Sequence, residues 1–195
     1  VLDETPTEAP IEELADERFR AEVVESRRVF EGRVWDVVSD RFDLDGQEIV
    51  REYQEHPGAV AVLAEDADGR ILLLRQYRHP IGYRDWELPA GILDVAGEDP
   101  LDAAQRELAE EADLQAEEWS PLCGFFSSPG GSSERIAVYR ARGLNSTGTR
   151  FERTAEEAGI ELRFVPLADV VQAVLDGRLH NSILVIAVLT AHARG

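Results

Sequence analysis

The chain of 195 residues contains no methionine, one cysteine, and 20 basic residues against 39 acidic ones. Each shortage excludes something. A lone Cys123 cannot form an internal disulfide, which fits a reducing cytoplasm, and its place in an apolar strand predicts a buried, inert thiol. With Val1 first and methionine absent, the initiator is read as removed or lying outside the sequence. The longest apolar run, "SILVIAVLTA", is too short for a membrane span. No charged-then-apolar leader opens the chain, so neither a membrane partner nor a signal peptide is expected. A net charge of −19 repels phosphate backbones and argues against nucleic-acid binding. It attracts divalent cations, although such acidity commonly serves solubility alone. His56, His79, His180 and His192 lack paired zinc spacing, and Asp66 and Asp68 in "EDADGR" lack the later glutamate of a calcium loop.

What is present divides the chain in three. Residues 1–17 carry seven acids, no bases and two prolines and read as a loosely attached tail. Residues 18–56 read as strands, "AEVVESRRVFEG", "RVWDVVSDRFDL" and "QEIVREYQEH", with Asp45-Gly46 as a hairpin signal between the last two. This predicts a small antiparallel accessory sheet. From 57 to 195, strands and helices mix without regular alternation, which predicts an α+β fold. "AVAVLAEDADGRILLLRQYRH" reads as two strands around Asp68-Gly69; "WSPLCGFFSS", "ERIAVYRARGL" and "IELRFVPL" read as further strands. Helices are expected over 100–112, over "ADVVQAVLDG" ending at Gly177, and from Asn181 or Ser182 onward.

The helix at 100–112 is the unusual element. Asp99 can cap it, Pro100 suits its first position, and Asp102 favours the first turn. At 100° steps Leu101, Ala104, Leu108 and Ala112 share a buried stripe. Glu107 and Glu111 stack on its flank, with Glu110 further toward solvent. Like charges four apart cost a few tenths of a kcal/mol on a plain helix, and here they stand beside an apolar face. The stretch is either a solvated edge with Arg106 as local partner, or a site for divalent cations, which prefer oxygen ligands.

Read whole, the stretch resembles the Nudix box, G-x5-E-x7-R-E-U-x-E-E-x-G-U with U apolar. Gly91 opens it; Glu98 is followed by Arg106-Glu107, Leu108, Glu110-Glu111 and Leu114. Six residues rather than five separate Gly91 from Glu98, and Asp113 replaces the late glycine, which is tolerable because Asp can adopt the left-handed conformation. The resemblance implies the Nudix fold, a mixed sheet between helices, and Mg²⁺-dependent hydrolysis of a nucleoside diphosphate linked to another moiety. Two or three Mg²⁺ ions are implied, with Mn²⁺ as a substitute. Glu107 and Glu111 would be the main ligands, Glu110, Glu98 and the Ala90 carbonyl further ones, and Arg106 would orient the glutamates.

A second motif narrows the substrate. "SSPGGSSER" places Pro129 fifteen residues beyond Leu114, with Gly130 and Glu134 around it. This resembles the ADP-ribose pyrophosphatases, which implies a substrate loop; otherwise it is an ordinary hairpin turn. The same resemblance implies phosphate or ribose contacts from Arg78 and Arg51, a homodimer through the accessory sheet with shared active sites, and a base in the loop "RTAEEAG", either Glu157 or Glu156. Trp35 or Phe30 is then a candidate to stack on adenine, the alternative being a core position. Hydrolysis of another sugar nucleotide such as GDP-mannose, or nucleotide sensing without turnover, are the competing readings.

Overall fold

The computed structural model describes residues 14–152 and 159–195. Three antiparallel strands, β1 (Glu22–Phe30), β2 (Asp36–Leu44) and β3 (Gln47–Glu55), form the accessory sheet in that order. The hairpin between β2 and β3 pairs Leu44 with Gln47 around Asp45 (φ 54°) and Gly46 (φ 79°). Two consecutive positive φ angles are what a two-residue turn between right-twisted strands requires.

The rest of the chain is built on β4 (Ala59–Ala64), which is buried along its whole length. It lies in a four-stranded sheet ordered β7-β4-β9-β8, where β7 is Ala90–Ile92, β8 Leu114–Phe126 and β9 Arg135–Ser146. The pairing of β4 with β9 is parallel and the others are antiparallel. Alternation along β4 sends its side chains to two cores. Ala59, Ala61 and Leu63 join Leu184, Ala187 and Val188 of α3 (Ser182–Arg194) and Val170 of α2 (Leu167–Leu175). Val60, Val62 and Ala64 join Ala103, Ala104 and Leu108 of α1 (Pro100–Ala112). This is a mixed sheet between helices. No helix among the described residues is long and apolar enough to cross a membrane.

A third sheet, ordered β10-β5-β6, contains β5 (Arg70–Arg78), β6 (Tyr83–Glu87) and β10 (Glu161–Pro166). The strands on either side of Asp68-Gly69 therefore enter different sheets. The turn between them is held by Asp66, whose carboxylate accepts from the backbone N–H of Asp68 and Arg70 and from the Arg70 guanidinium. Its oxygens serve a local turn. Strand β8 also begins five residues before Trp119, because Leu114 and Ala116 alternate into the second core behind polar neighbours. Cys123 is half-buried rather than fully enclosed, and burial pushes its thiol up from the ordinary value. Neither Trp35 nor Phe30 is a core residue; they are 43% and 61% exposed.

Helix α1 has the predicted bounds. The Asp99 side chain accepts from Leu101 N–H at 2.8 Å, and Asp113 ends the helix in the left-handed region at φ 57°. Leu101 is only half-buried, while Ala103 joins Ala104, Leu108 and Ala112 in the core. The reason for an aspartate at the helix end is visible: its Oδ1 accepts the Phe151 N–H at 2.7 Å. Asp113→Gly is expected to leave stability nearly unchanged, trading backbone relief against that bond. Asp113→Ala loses the bond and keeps the left-handed strain, for a loss of about 1–2 kcal/mol. Denaturant midpoints of the two variants check this.

Candidate active site

The centre of the site is fixed by strand register. Val62 N–H donates to Pro89 O, and Leu93 N–H donates to Gly58 O. Ala90, opposite Ala61 between those bonds, must turn its N–H and C=O away from β4, toward the free edge of β7. The Ala90 N–H is taken by Glu111 Oε2 at 2.9 Å. Glu111 is 5% exposed, so this bond satisfies a carboxylate that helix α1 carries to the edge of the core.

Glycine at 91 follows from the same packing. A Cβ there would stand 2.0 Å from Cδ and Oε1 of Glu107. The carboxyl of Glu107 therefore lies flat over β7, and its side chain is only 12% exposed.

Arg106 gathers the remaining acids. Its Nε and Nη2 donate to the two oxygens of Glu98, both at 3.0 Å, and its Nη1 donates to Glu107 and, at 3.5 Å, to Glu110. The bidentate bond from Arg106 holds the Glu98 carboxyl below its usual range, and Glu98 in turn raises the guanidinium. The extra residue before Glu98 is absorbed in a turn: Glu98 N–H donates to Val95 O, and Gly97 has φ 81°.

These groups open on a cavity of about 620 Å³. Ala90, Gly91, Arg106, Glu107, Glu110 and Glu111 line it, and Arg78, Glu134 and Trp35 come to it from other elements. Pro129 and Gly130 are exposed and lie outside the lining, as do Glu98 and Phe30. Arg51 is also outside; its Nη1 donates to Val50 O on the exposed surface. Glu156 and Glu157 fall outside the described residues.

The structure adds residues the motifs did not mark. Glu87, 4% exposed, accepts from Arg78 Nε at 2.7 Å and Nη2 at 2.6 Å and fixes that guanidinium at the cavity wall. Asp85 accepts from Asn181, the residue that caps α3, at 3.2 Å. Glu87 sits in "WELPAG", which runs into the box, and no local pattern in the sequence marks it. His56 also lines the cavity.

A divalent cation is tested here by donor chemistry. No three Asp, Glu, His or Cys side chains among the described residues already converge as a cage, because Arg106 holds three of the carboxylates. The donors themselves fit a hard cation: Glu107, Glu110 and Glu111 on one helix flank, with the Ala90 carbonyl turned to the same edge. The lining holds seven carboxylates against two arginines. An anionic ligand entering such a cavity meets net repulsion unless cations accompany it.

Two expectations follow. Gly91→Ala drives Glu107 off β7; activity with Mg²⁺ should fall at least tenfold while the far-ultraviolet circular dichroism stays unchanged. Arg106→Gln should return the Glu98 carboxyl upward to the ordinary range, read by NMR titration. Because the folded-state value is depressed, Glu98 stabilises the parent above its unfolded value near 4.3 and this is lost as pH falls through the lower folded value. The variant should lose that contribution, so its acid unfolding should move to higher pH.

Comparison with known proteins matches residues 55–184 to the NUDIX domain. The chain is 44% identical over 173 residues to a protein of Mycobacterium tuberculosis named ADP-ribose pyrophosphatase, covering 88% of this chain and 83% of that one. It is 36% identical over 174 residues to a methanol dehydrogenase activator of Bacillus methanolicus, covering 87% and 91%. A solved structure described as that of an ADP compounds hydrolase has the same fold, with a TM-score of 0.75 at 20% identity over 92% of this chain and 96% of that one. The chain therefore belongs to the NUDIX domain family.

Proposed function

We propose that the chain hydrolyses the diphosphate of ADP-ribose, giving AMP and ribose 5-phosphate. The observation that carries this reading is the flank of α1, where Glu107, Glu110 and Glu111 face a cavity that is also lined by Arg78, held by the buried Glu87. The mycobacterial relative's name supports ADP-ribose over other sugar nucleotides.

Mg²⁺, two or three ions with Mn²⁺ as a substitute, would be held by Glu107, Glu111 and the Ala90 carbonyl, with Glu110 and Glu98 in support; when bound it neutralises phosphoryl oxygens and acidifies water. The chain supplies the rest. Glu111 is held in place by the Ala90 N–H. Arg106 bridges Glu98 and Glu107 and orients both carboxylates. Arg78 places positive charge where the diphosphate enters. Water adds to one phosphorus as the bond to the bridging oxygen breaks, and a carboxylate takes the proton from that water. Glu157 is assigned as this base, with Glu156 as its neighbour able to substitute. Trp35 offers an aromatic face for the base of the nucleotide. Pro129 and Gly130 shape the loop that delivers Glu134, and Arg51 contributes a phosphate contact.

A homodimer through the accessory sheet belongs to the same proposal. Strand β1 is exposed along its whole length, and Val24, Val29 and Phe30 are among its exposed apolar side chains. In such a pair Arg51 would serve the partner's cavity. The single cysteine fits a cytoplasmic setting.

Product analysis with Mg²⁺ and a panel of ADP-ribose, GDP-mannose and UDP-glucose tests the reading. ADP-ribose should give AMP fastest, and Glu111→Gln and Glu157→Gln should each lose at least a hundredfold in kcat. Faster turnover of another sugar nucleotide overturns the substrate and keeps the chemistry. Binding of ADP-ribose without any turnover identifies a sensor instead.

A further inference from the structure

Among the described residues only one histidine lines the cavity, and the mechanism above leaves it unused. The His56 side chain is 5% exposed. Its Nδ1 accepts the Gly58 N–H at 3.0 Å. A ring nitrogen that accepts carries no proton, so the neutral imidazole has its proton on Nε2. That N–H faces Glu134, whose Oε1 stands 3.6 Å from Nε2, beyond hydrogen-bond reach. A donor and an ionisable acceptor thus face the cavity side by side without closing on each other.

The spacing of the pair is set by backbone. Gln54 N–H donates to Gly131 O, and Ser133 N–H donates to Gln54 O. His56 N–H donates to Ser133 Oγ at 2.9 Å. Glu134 N–H donates to Ser132 Oγ. The first three bonds stitch the "SSPGGSSER" loop to the end of β3, and the fourth fixes Glu134 within the loop. The loop reaches the cavity through Glu134, and the stitching holds Glu134 against His56.

A group that bridges the pair from the cavity side must accept from Nε2–H and donate to the carboxylate. A phosphate oxygen accepts but is repelled by Glu134. An ammonium or a ring-conjugated amino group donates but offers His56 no available lone pair. A hydroxyl does both, and its oxygen can stand about 2.8 Å from each partner. We propose that His56 and Glu134 together read one ribose hydroxyl of the nucleoside diphosphate sugar, and that His56 is a specificity-determining residue. The proposal rests on the substrate class given above.

The test compares kcat/KM for ADP-ribose with that for analogues each lacking one hydroxyl of either ribose. In the parent chain, loss of one particular hydroxyl should cost about tenfold or more. In His56→Phe, ADP-ribose should lose a similar factor, and loss of that hydroxyl should cost clearly less than in the parent, since only Glu134 is left to hold it. A merely structural role would lower every substrate alike and leave the hydroxyl's cost intact, which overturns the proposal; so does a parent indifferent to every hydroxyl. Should His56→Phe fail to fold, His56→Asn serves, since its amide oxygen can still accept from Gly58 N–H while no donor reaches the place of Nε2. Efficient turnover of ADP-ribose with additive losses sinks the pair alone, whereas a parent that turns over no nucleoside diphosphate sugar sinks the substrate class as well.

Discussion

The bond between the Ala90 N–H and Glu111 is the constraint on which the site depends. A carboxylate that is 5% exposed is costly to leave without a partner. Only an edge strand in this register offers a backbone N–H facing α1, and only a helix packed through Ala104 and Leu108 brings Glu111 to it. The glycine at 91 and the flat seat of Glu107 follow from the closeness of helix and strand. Helix, strand and carboxylates are thus one packing solution, in which the polar function is the condition for burying the helix so deeply.

Charge sets the second constraint. The cavity collects far more acid than base, and Arg106 and Arg78 each stand on carboxylates rather than alone. Both guanidiniums are thereby held in fixed orientation, which limits what must be ordered when an anionic ligand arrives. Glu87 does for Arg78 what Glu98 does for Arg106, although the two acids lie on different elements.

The bounds of α1 were legible because each end carries a local signal: Asp99-Pro100 at the start, and Asp113, which takes the left-handed conformation that glycine otherwise supplies. The Asp45-Gly46 hairpin was legible for the same reason. The glutamates that line the cavity were legible through fixed spacing on a helix. Glu87 and His56 were not, because neither belongs to a periodic pattern: Glu87 meets Arg78 across the β5–β6 pairing, and His56 meets Glu134 far along the chain. The separate sheets entered by β4 and β5 were also hidden, since an acidic turn between two apolar strands looks like a hairpin until the pairing of β4 with β9 is known. The relation of "SSPGGSSER" to β3 depends on contacts nearly eighty residues apart, beyond any local rule.

Strand β4 has one further consequence. Its first residues lie next to Gly58, which holds the His56 ring, and its Val62 N–H holds Pro89 beside Ala90. Both walls of the cavity therefore hang from a single strand that is buried in two cores at once. Such a strand has no low-energy local opening: its amides should exchange with solvent only when the whole domain unfolds. The geometry of the site then carries the cooperativity of the fold.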